Sequence, residues 1–448
     1  MRRLLVRKSP NGEALVGASQ LVRHAPLPLL IYRTIDNSFT RENIARTRPA
    51  ETFVAAAMIL SLLFFGQVFY YLNQLEPLYY LSKAWPIIVL PMAALGMRPG
   101  VVGQAAIPLR WLFVAVLAYT IGITPLLSML YLGNGLVDAL LTTVKVLPLL
   151  FYPALVFQLA WLKPSARMLR KCVLGLGVMT FVLMVILWVT VPASWYSTDS
   201  ATSKLLIYEF ERGYRVSMPM FFGLLLIFYL GRQFAYTIRW YYILAIAVLF
   251  VLLFLIYKQR TTIAMAAIVV VLASCPEKWR RLAFAGGLLA AAGALVFVLV
   301  APFMEQVTAS LGASLLIRLD SLQRAITFIG DRPLNWLFGM GAVTRFSSVS
   351  MANILGSDYF FLADIGWVGV IFEYGIVGAV LIAALYIAAF LTADHAGRES
   401  GNAFALALSD YLLFMIFSSA VYSLVFVPGE MATVLALSVY LKKIPQSG

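Results

Sequence analysis

The chain has 448 residues, of which 62% are hydrophobic and 12% charged, and its net charge is +14. Soluble globular chains carry about 25% charged residues, so this composition cannot coat a soluble surface of such length and points to one membrane domain. The positive balance comes without an RNA- or DNA-binding motif. It argues against nucleic acid as a partner and fits Lys and Arg in cytoplasmic loops beside anionic lipid.

Residues 1–52 hold nine Arg or Lys, and the first long apolar run begins near Phe53. This is the pattern of a cytoplasmic tail rather than a cleavable signal. Beyond it, runs near the length that crosses a bilayer predict about twelve spans. They lie near 53–73, 79–97, 105–131, 136–162, 172–193, 217–231, 241–257, 261–275, 282–303, 362–392, 402–427 and 431–441. With the N-terminus inside, Lys and Arg gather in the loops 97–104, 163–171, 231–239, 276–281 and 394–401, and Lys442 and Lys443 also fall inside. The short outer loops 73–77, 133–135 and 428–430 carry none. The positive-inside rule therefore predicts cytoplasmic termini. The expected layout is a tail at 1–52, a membrane domain at 53–441 with a large outer loop at 304–361, and a second tail at 442–448. The fold class expected is all-α, a polytopic membrane bundle with short helices in that outer loop. Cys172 and Cys275 fall at expected cytoplasmic helix ends, and His24 and His395 in cytoplasmic segments. That distribution suggests neither a disulfide nor a metal centre, and no cofactor is expected.

Three outer segments break the charge rule. The loop 194–216 holds Lys204, Arg212 and Arg215, the turn 257–260 holds Lys258 and Arg260, and the large loop holds Arg318, Arg324, Arg332 and Arg345. A connection of about 60 residues is long for a bundle and such loops usually carry function. Leu316, Leu319, Leu322 and Ile326 follow helical spacing across Arg318 and Arg324. Charge near membrane depth is costly, and several Arg together neutralise a pyrophosphate. The bland alternative is snorkelling, or ion pairs with Glu209, Glu211 and Asp320. The acids Asp358, Asp364 and Glu373 lie at the expected outer end of the tenth span. A carboxylate there can accept a proton from a sugar hydroxyl, or it can serve as a helix cap or a partner for an arginine.

Four stretches together resemble the O-antigen polymerase and ligase superfamily of bacterial polysaccharide assembly. They are Arg212-Gly-Tyr-Arg-Val-Ser-Met-Pro; Tyr257-Lys-Gln-Arg260-Thr-Thr-Ile-Ala; the run from Arg318-Leu-Asp-Ser-Leu-Gln-Arg-Ala to Gly339-Met-Gly341; and Asp364 through Glu373-Tyr-Gly375-Ile-Val-Gly378. The resemblance covers 208–380; elsewhere it is one of hydropathy only. It implies a polysaccharide polymerase in the bacterial inner membrane, an inverting, metal-independent glycosyltransferase. Growing glycan would move from undecaprenyl pyrophosphate to a lipid-linked repeat unit on the outer face, with a chain-length regulator as partner. Arg212, Arg215, Arg260, Arg318 and Arg324 would hold the pyrophosphate, and Asp364 or Asp358 would act as base. Ligases of the family carry a His eleven residues before the first Gly of the last motif, where this chain has Asp364. That departure favours polymerase over ligase. The reading from another class is a lipid-linked oligosaccharide flippase or another transporter, which needs charge at mid-membrane depth, where this chain offers only Lys145, Asp138 and Asp410 while its other charges gather in the outer loops.

Overall fold

A computed structural model describes residues 48–99, 107–198, 203–210, 212–274, 285–286, 313–342, 362–420 and 427–443. The described residues are mostly helical. By backbone contacts it divides into a unit Met1–Val54 and a unit Ala55–Gly448. Helix α1 (Arg48–Phe65) is followed by α2 (Glu76–Ile88) and α3 (Leu90–Gly96). Next come α4 (Arg110–Ala118), a π turn at Tyr119–Ile123 and α5 (Thr124–Leu132), then α6 (Leu136–Leu141), α7 (Phe151–Leu162) and α8 (Ala166–Thr190). A hairpin of β1 (Leu206–Glu209) and β2 (Gly213–Val216) leads into α9 (Phe221–Thr237), α10 (Trp240–Leu252) and α11 (Arg260–Ser274). After these lie α12 (Ala313–Ile329), α13 (Pro333–Phe338), α14 (Trp367–Ser400), α15 (Ala403–Ser418) and α16 (Pro428–Lys443).

Among the described residues, five helical runs are long and apolar enough to cross a membrane: Glu76–Gly96, Arg110–Leu132, Ala166–Thr190, Trp240–Tyr257 and Trp367–Ser400. The pair Leu136–Lys145 and Leu147–Leu162, bent by 50°, makes a sixth if counted as one span. Glu51–Phe65, Phe221–Thr237, Arg260–Ser274 and Ala403–Ser418 are apolar but shorter. Helix is the element to expect in such a chain, because within lipid each backbone N–H and C=O needs a partner inside the segment. The ends are marked by ordinary signals. Ser165 accepts the Met168 N–H at 3.2 Å and Asn402 accepts the Phe404 N–H at 2.9 Å, while Gly401 closes α14 in the left-handed region. The expected span 282–303 lies outside the described residues, apart from Ala285 and Gly286, which are helical.

Burial sorts the helices. Every residue of α15 is buried, and α16 is buried from Pro428 to Leu441. Helix α10 buries none and presents apolar side chains outward. An element apolar on all sides belongs at the centre of a bundle, and α15 and α16 do pack against each other and against α14, with α9 on α15 and α7 on α16. Loops expected on one side from the alternation of spans touch one another. Lys204 N–H reaches Asn73 Oδ1 at 3.1 Å, and Gln74 Nε2 reaches Ser203 Oγ at 2.8 Å. In the other group, Lys442 pairs with Glu399 at 2.8 Å, and the Tyr440 hydroxyl donates to Pro164 O at 2.9 Å.

One expectation fails at Arg232, assigned to the loop 231–239. Helix α9 continues to Thr237, and Arg232 is buried within it. Its guanidinium grips Asp410 of α15 through two hydrogen bonds of 2.6 Å and donates to Ala273 O of α11 at 3.0 Å. The planar fork of arginine suits such bidentate pairing. A buried acid on a neighbouring helix thus draws into the bundle a cation that a count along the chain assigns to a loop.

Candidate functional site

The first group of expected cations is held by the β1–β2 hairpin. Its register pairs Ile207 with Arg215, Tyr208 with Tyr214 and Glu209 with Gly213. Alternation along the strands puts Ile207, Glu209 and Arg215 on one face. There Arg215 Nη2 meets Glu209 Oε1 at 2.5 Å, and Arg212 Nη1 meets Glu209 Oε2 at 3.4 Å. Lys258, at the end of the span containing α10, donates from Nζ to Arg212 O at 2.9 Å. Tyr257 lies within electrostatic reach of Arg215. Burial lowers the Arg215 pKa from its ordinary value, Glu209 opposes this and Arg212 adds to the fall; the guanidinium stays charged regardless. Among the described residues, Arg212, Arg215 and Lys258 thus gather about the carboxylate of Glu209. Arg260 opens α11 with its side chain exposed.

A second group forms where α12 crosses the start of α14. Leu319, Leu322, Ala325 and Ile329 of α12 bury against Leu362, Ile365, Val368 and Phe372. The helical spacing read across Arg318 and Arg324 is therefore realised, with its apolar stripe turned inward. Asp364 sits half-buried in the single turn Leu362–Ile365. Burial raises its pKa above the usual carboxylate value, and the charge of Arg318 pulls the other way. Arg318 and Asp364 are thus electrostatic neighbours. Arg324 takes the bland role instead: it points to solvent and pairs with Asp320 one turn away at 2.9 Å, an arrangement worth little. Among the described residues no hydrogen bond or ion pair joins the hairpin arginines to Arg318. Asp358 lies outside the described residues.

The last two resembling stretches meet in space. Helix α14 is broken at Gly375 (φ 63, ψ −177). The carbonyls freed just before the break are taken up: Met340 N–H donates to Phe372 O at 2.8 Å and Gly341 N–H to Glu373 O at 3.2 Å. The Tyr119 hydroxyl donates to Tyr374 O at 2.7 Å and Phe338 O at 3.1 Å. Glycine is required on both sides. A Cβ on Gly339 would lie 2.5 Å from Gly375 N, and one on Gly375 would lie 2.4 Å from Leu337 O. Gly341 is likewise pressed on Ser128 of α5, where a Cβ would lie 2.3 Å from the backbone N.

At this crossing Glu373, almost fully buried, accepts from Lys145 Nζ on both carboxylate oxygens, at 2.5 and 2.6 Å. Lys145 stands at the bend between the two halves of the α6–α7 span. Both residues were visible as charges in apolar surroundings, but their pairing was not: 228 positions separate them. Neither a protein-family model nor a curated protein sequence matches this chain.

Proposed function

We propose that this chain is a polysaccharide polymerase that transfers a growing glycan from undecaprenyl pyrophosphate to a lipid-linked repeat unit at the outer face of the bacterial inner membrane. The observation that carries the reading is how the four resembling stretches pair off. The Arg212–Arg215 stretch lies against Lys258 of the second. The stretch from Arg318 to Gly341 lies against that from Asp364 to Gly378 through shared core, the glycine crossing and the Arg318–Asp364 neighbourhood. Four short patterns scattered over 208–380 make two contiguous surfaces, each carrying arginine. Arg212, Arg215 and Arg260 would neutralise the pyrophosphate leaving group, Arg318 would draw the second lipid-linked substrate's phosphates, and Asp364 would take the proton of the attacking hydroxyl. Attack opposite the leaving group inverts the anomeric carbon.

A flippase or other transporter is the second reading, and one observation favours it. Two interrupted helices meet at a buried ion pair, the arrangement in which transporters build midplane sites. Against it, Lys145 and Asp410 are already neutralised by Glu373 and Arg232. Lipid-linked glycan extracted from a deletion strain separates the readings. Loss of a polymerase leaves exported single repeats on core or carrier; loss of a flippase leaves no exported repeat. Purified protein given a lipid-linked repeat unit should build longer glycans, and its failure to do so refutes the transfer reading.

A further inference from the structure

Between α14 and α16, at the end of the bundle expected in the cytoplasm, lies a pocket of about 440 Å³. Volumes of roughly 300–1,000 Å³ suit a small organic ligand. Leu391, Thr392, His395 and Ala396 line it from α14, Val439 and Lys442 from α16, and Pro108 from the turn before α4. The spacings of three and four within each helix bring these residues onto one face. The lining changes character along its length. Pro108, Leu391, Ala396 and Val439 make one end apolar, and Thr392 spends its hydroxyl proton on Ala388 O at 2.7 Å. The Tyr152 hydroxyl donates to Pro108 O at 2.8 Å and fixes that wall, while Leu391, 54% exposed, leaves the apolar end open. The other end is ionic. Glu399, one turn past His395, meets Lys442 Nζ at 2.8 Å with one oxygen and His395 Nε2 at 3.0 Å with the other.

An apolar trough that runs into an ionic rim where two membrane helices end matches a phospholipid, whose chain keeps to hydrocarbon while its headgroup reaches the aqueous boundary. The rim decides which phospholipid. Lys442 and Glu399 carry opposite charges, so they offer a purely anionic headgroup one attraction and one repulsion. A headgroup that bears both a phosphate and an ammonium finds a partner for each. The side chains of Lys442 and Glu399 are 38% and 47% exposed. Their own pairing is therefore worth little, and exchanging it for two contacts to a ligand costs little. We propose that this pocket binds a phospholipid with a phosphoethanolamine headgroup. Lys442 and His395 donate to the phosphate, and Glu399 accepts from the ammonium. The glycerol enters between Pro108, Ala396 and Val439, and a chain lies along Leu391. A lipid seated there bridges α14 and α16, and its binding does not depend on glycan transfer.

The test titrates full-length protein, delipidated in detergent, with phosphatidylethanolamine, phosphatidylglycerol and phosphatidylcholine of identical chains, and counts bound lipid by native mass spectrometry. Phosphatidylethanolamine should bind about tenfold more tightly than phosphatidylglycerol, the scale of one charge-assisted hydrogen bond. It should also exceed phosphatidylcholine, whose quaternary ammonium has no hydrogen to donate. Lys442→Gln should weaken all three. Glu399→Gln should reverse the order of the first two, because the carboxylate that repels a net anion is gone while Lys442 remains. Both positions are exposed, so neither change disturbs the core. Thr392→Trp fills the pocket from a partly exposed position and should abolish selective binding. Equal retention of the three lipids by the wild type overturns the site, as does a selectivity that survives either Glu399→Gln or Thr392→Trp. A wild type that prefers phosphatidylglycerol overturns the zwitterionic occupant in favour of an anionic lipid.

Discussion

The glycine crossing is the feature whose energetics are most directly calculable, and Gly339→Ala probes it. Gly339 has φ 86 and ψ 179, a region that is essentially confined to glycine and costs another residue about 1–3 kcal/mol. The new Cβ would also lie 2.5 Å from Gly375 N and 2.7 Å from Glu373 O. Both are backbone atoms that cannot rotate away, so the segment must lift, at the roughly 1–3 kcal/mol typical of overpacking. The sum is about 2–6 kcal/mol. Gly330→Ala is the control. Gly330 also has positive φ (66), but the nearest neighbour of its Cβ would be 3.9 Å away, leaving a conformational cost of about 1–2 kcal/mol. Equilibrium unfolding of both variants in mixed micelles measures the difference. Lifting the segment would also break the bonds from Met340 and Gly341 to the carbonyls before the break, so glycan transfer should fall in Gly339→Ala and persist in Gly330→Ala. Equal destabilisation by the two substitutions would refute the close crossing.

Breaking the Lys145–Glu373 pair with Lys145→Met should destabilise by about 3–5 kcal/mol, because a buried carboxylate is stranded; Lys145→Met with Glu373→Leu should recover most of that in the same unfolding measurement. Arg260→Ala and Arg318→Ala should abolish polymerisation while the protein still accumulates in membranes, and Lys should rescue only partly because a point charge does not copy the planar fork; near-normal chain lengths in both Ala variants would mean that these cations merely snorkel. Asp364→Asn should lower turnover by about 100-fold, the scale of general-base catalysis. The base works unprotonated, so activity is lost as pH falls through the Asp364 pKa, which burial raises and Arg318 lowers; the acid limb should lie above the ordinary carboxylate range and move higher still in Arg318→Lys, whose shorter side chain holds the charge farther from the carboxyl. Cysteine at position 197 should react with an impermeant thiol reagent from outside in intact spheroplasts and cysteine at 165 should not, the reverse outcome contradicting the expected topology.

Hydropathy and spacing captured what depends on near neighbours in the chain. The amphipathic helix across Arg318 and Arg324 is one case, because burial of Leu319 and Leu322 against the start of α14 repeats with the helical period that the sequence displays. Interactions across the bundle left no such period. Arg232 sits at a distance along the chain from the apolar run where loop cations are usual, and only Asp410, 178 positions on, explains its burial. Arg324 illustrates the converse. Its sequence neighbourhood was as suggestive of an anion site as that of Arg318, yet one faces Asp320 in solvent and the other a half-buried carboxyl. Four residues past Asp320 or two before it decides which side of α12 an arginine occupies, and that side acquires meaning only once another helix lies against it.

The break at Gly375 was hidden for a further reason. Hydropathy averages over a window longer than the defect, so residues 362–392 read as one apolar span across the break. What reveals the break is the neighbour that completes it. A helix interrupted in apolar surroundings leaves carbonyls without donors, which is tolerated only where protein supplies them. Here the donors are the N–H groups of Met340 and Gly341 and the hydroxyl of Tyr119. The Gly339-Met-Gly341 stretch and the Gly375 break are therefore two halves of one structural requirement: the first needs glycine to come close enough to donate, and the second needs glycine to open the ladder that must be filled. Glu373 lies beside that opening, which gives its carboxylate a place among backbone dipoles and brings Lys145 to it from a second bent span. Rigid attachment of the α12–α13 segment to α14 at this point also fixes the distance between Arg318 and Asp364, the one cation–carboxylate neighbourhood on which the proposed base depends.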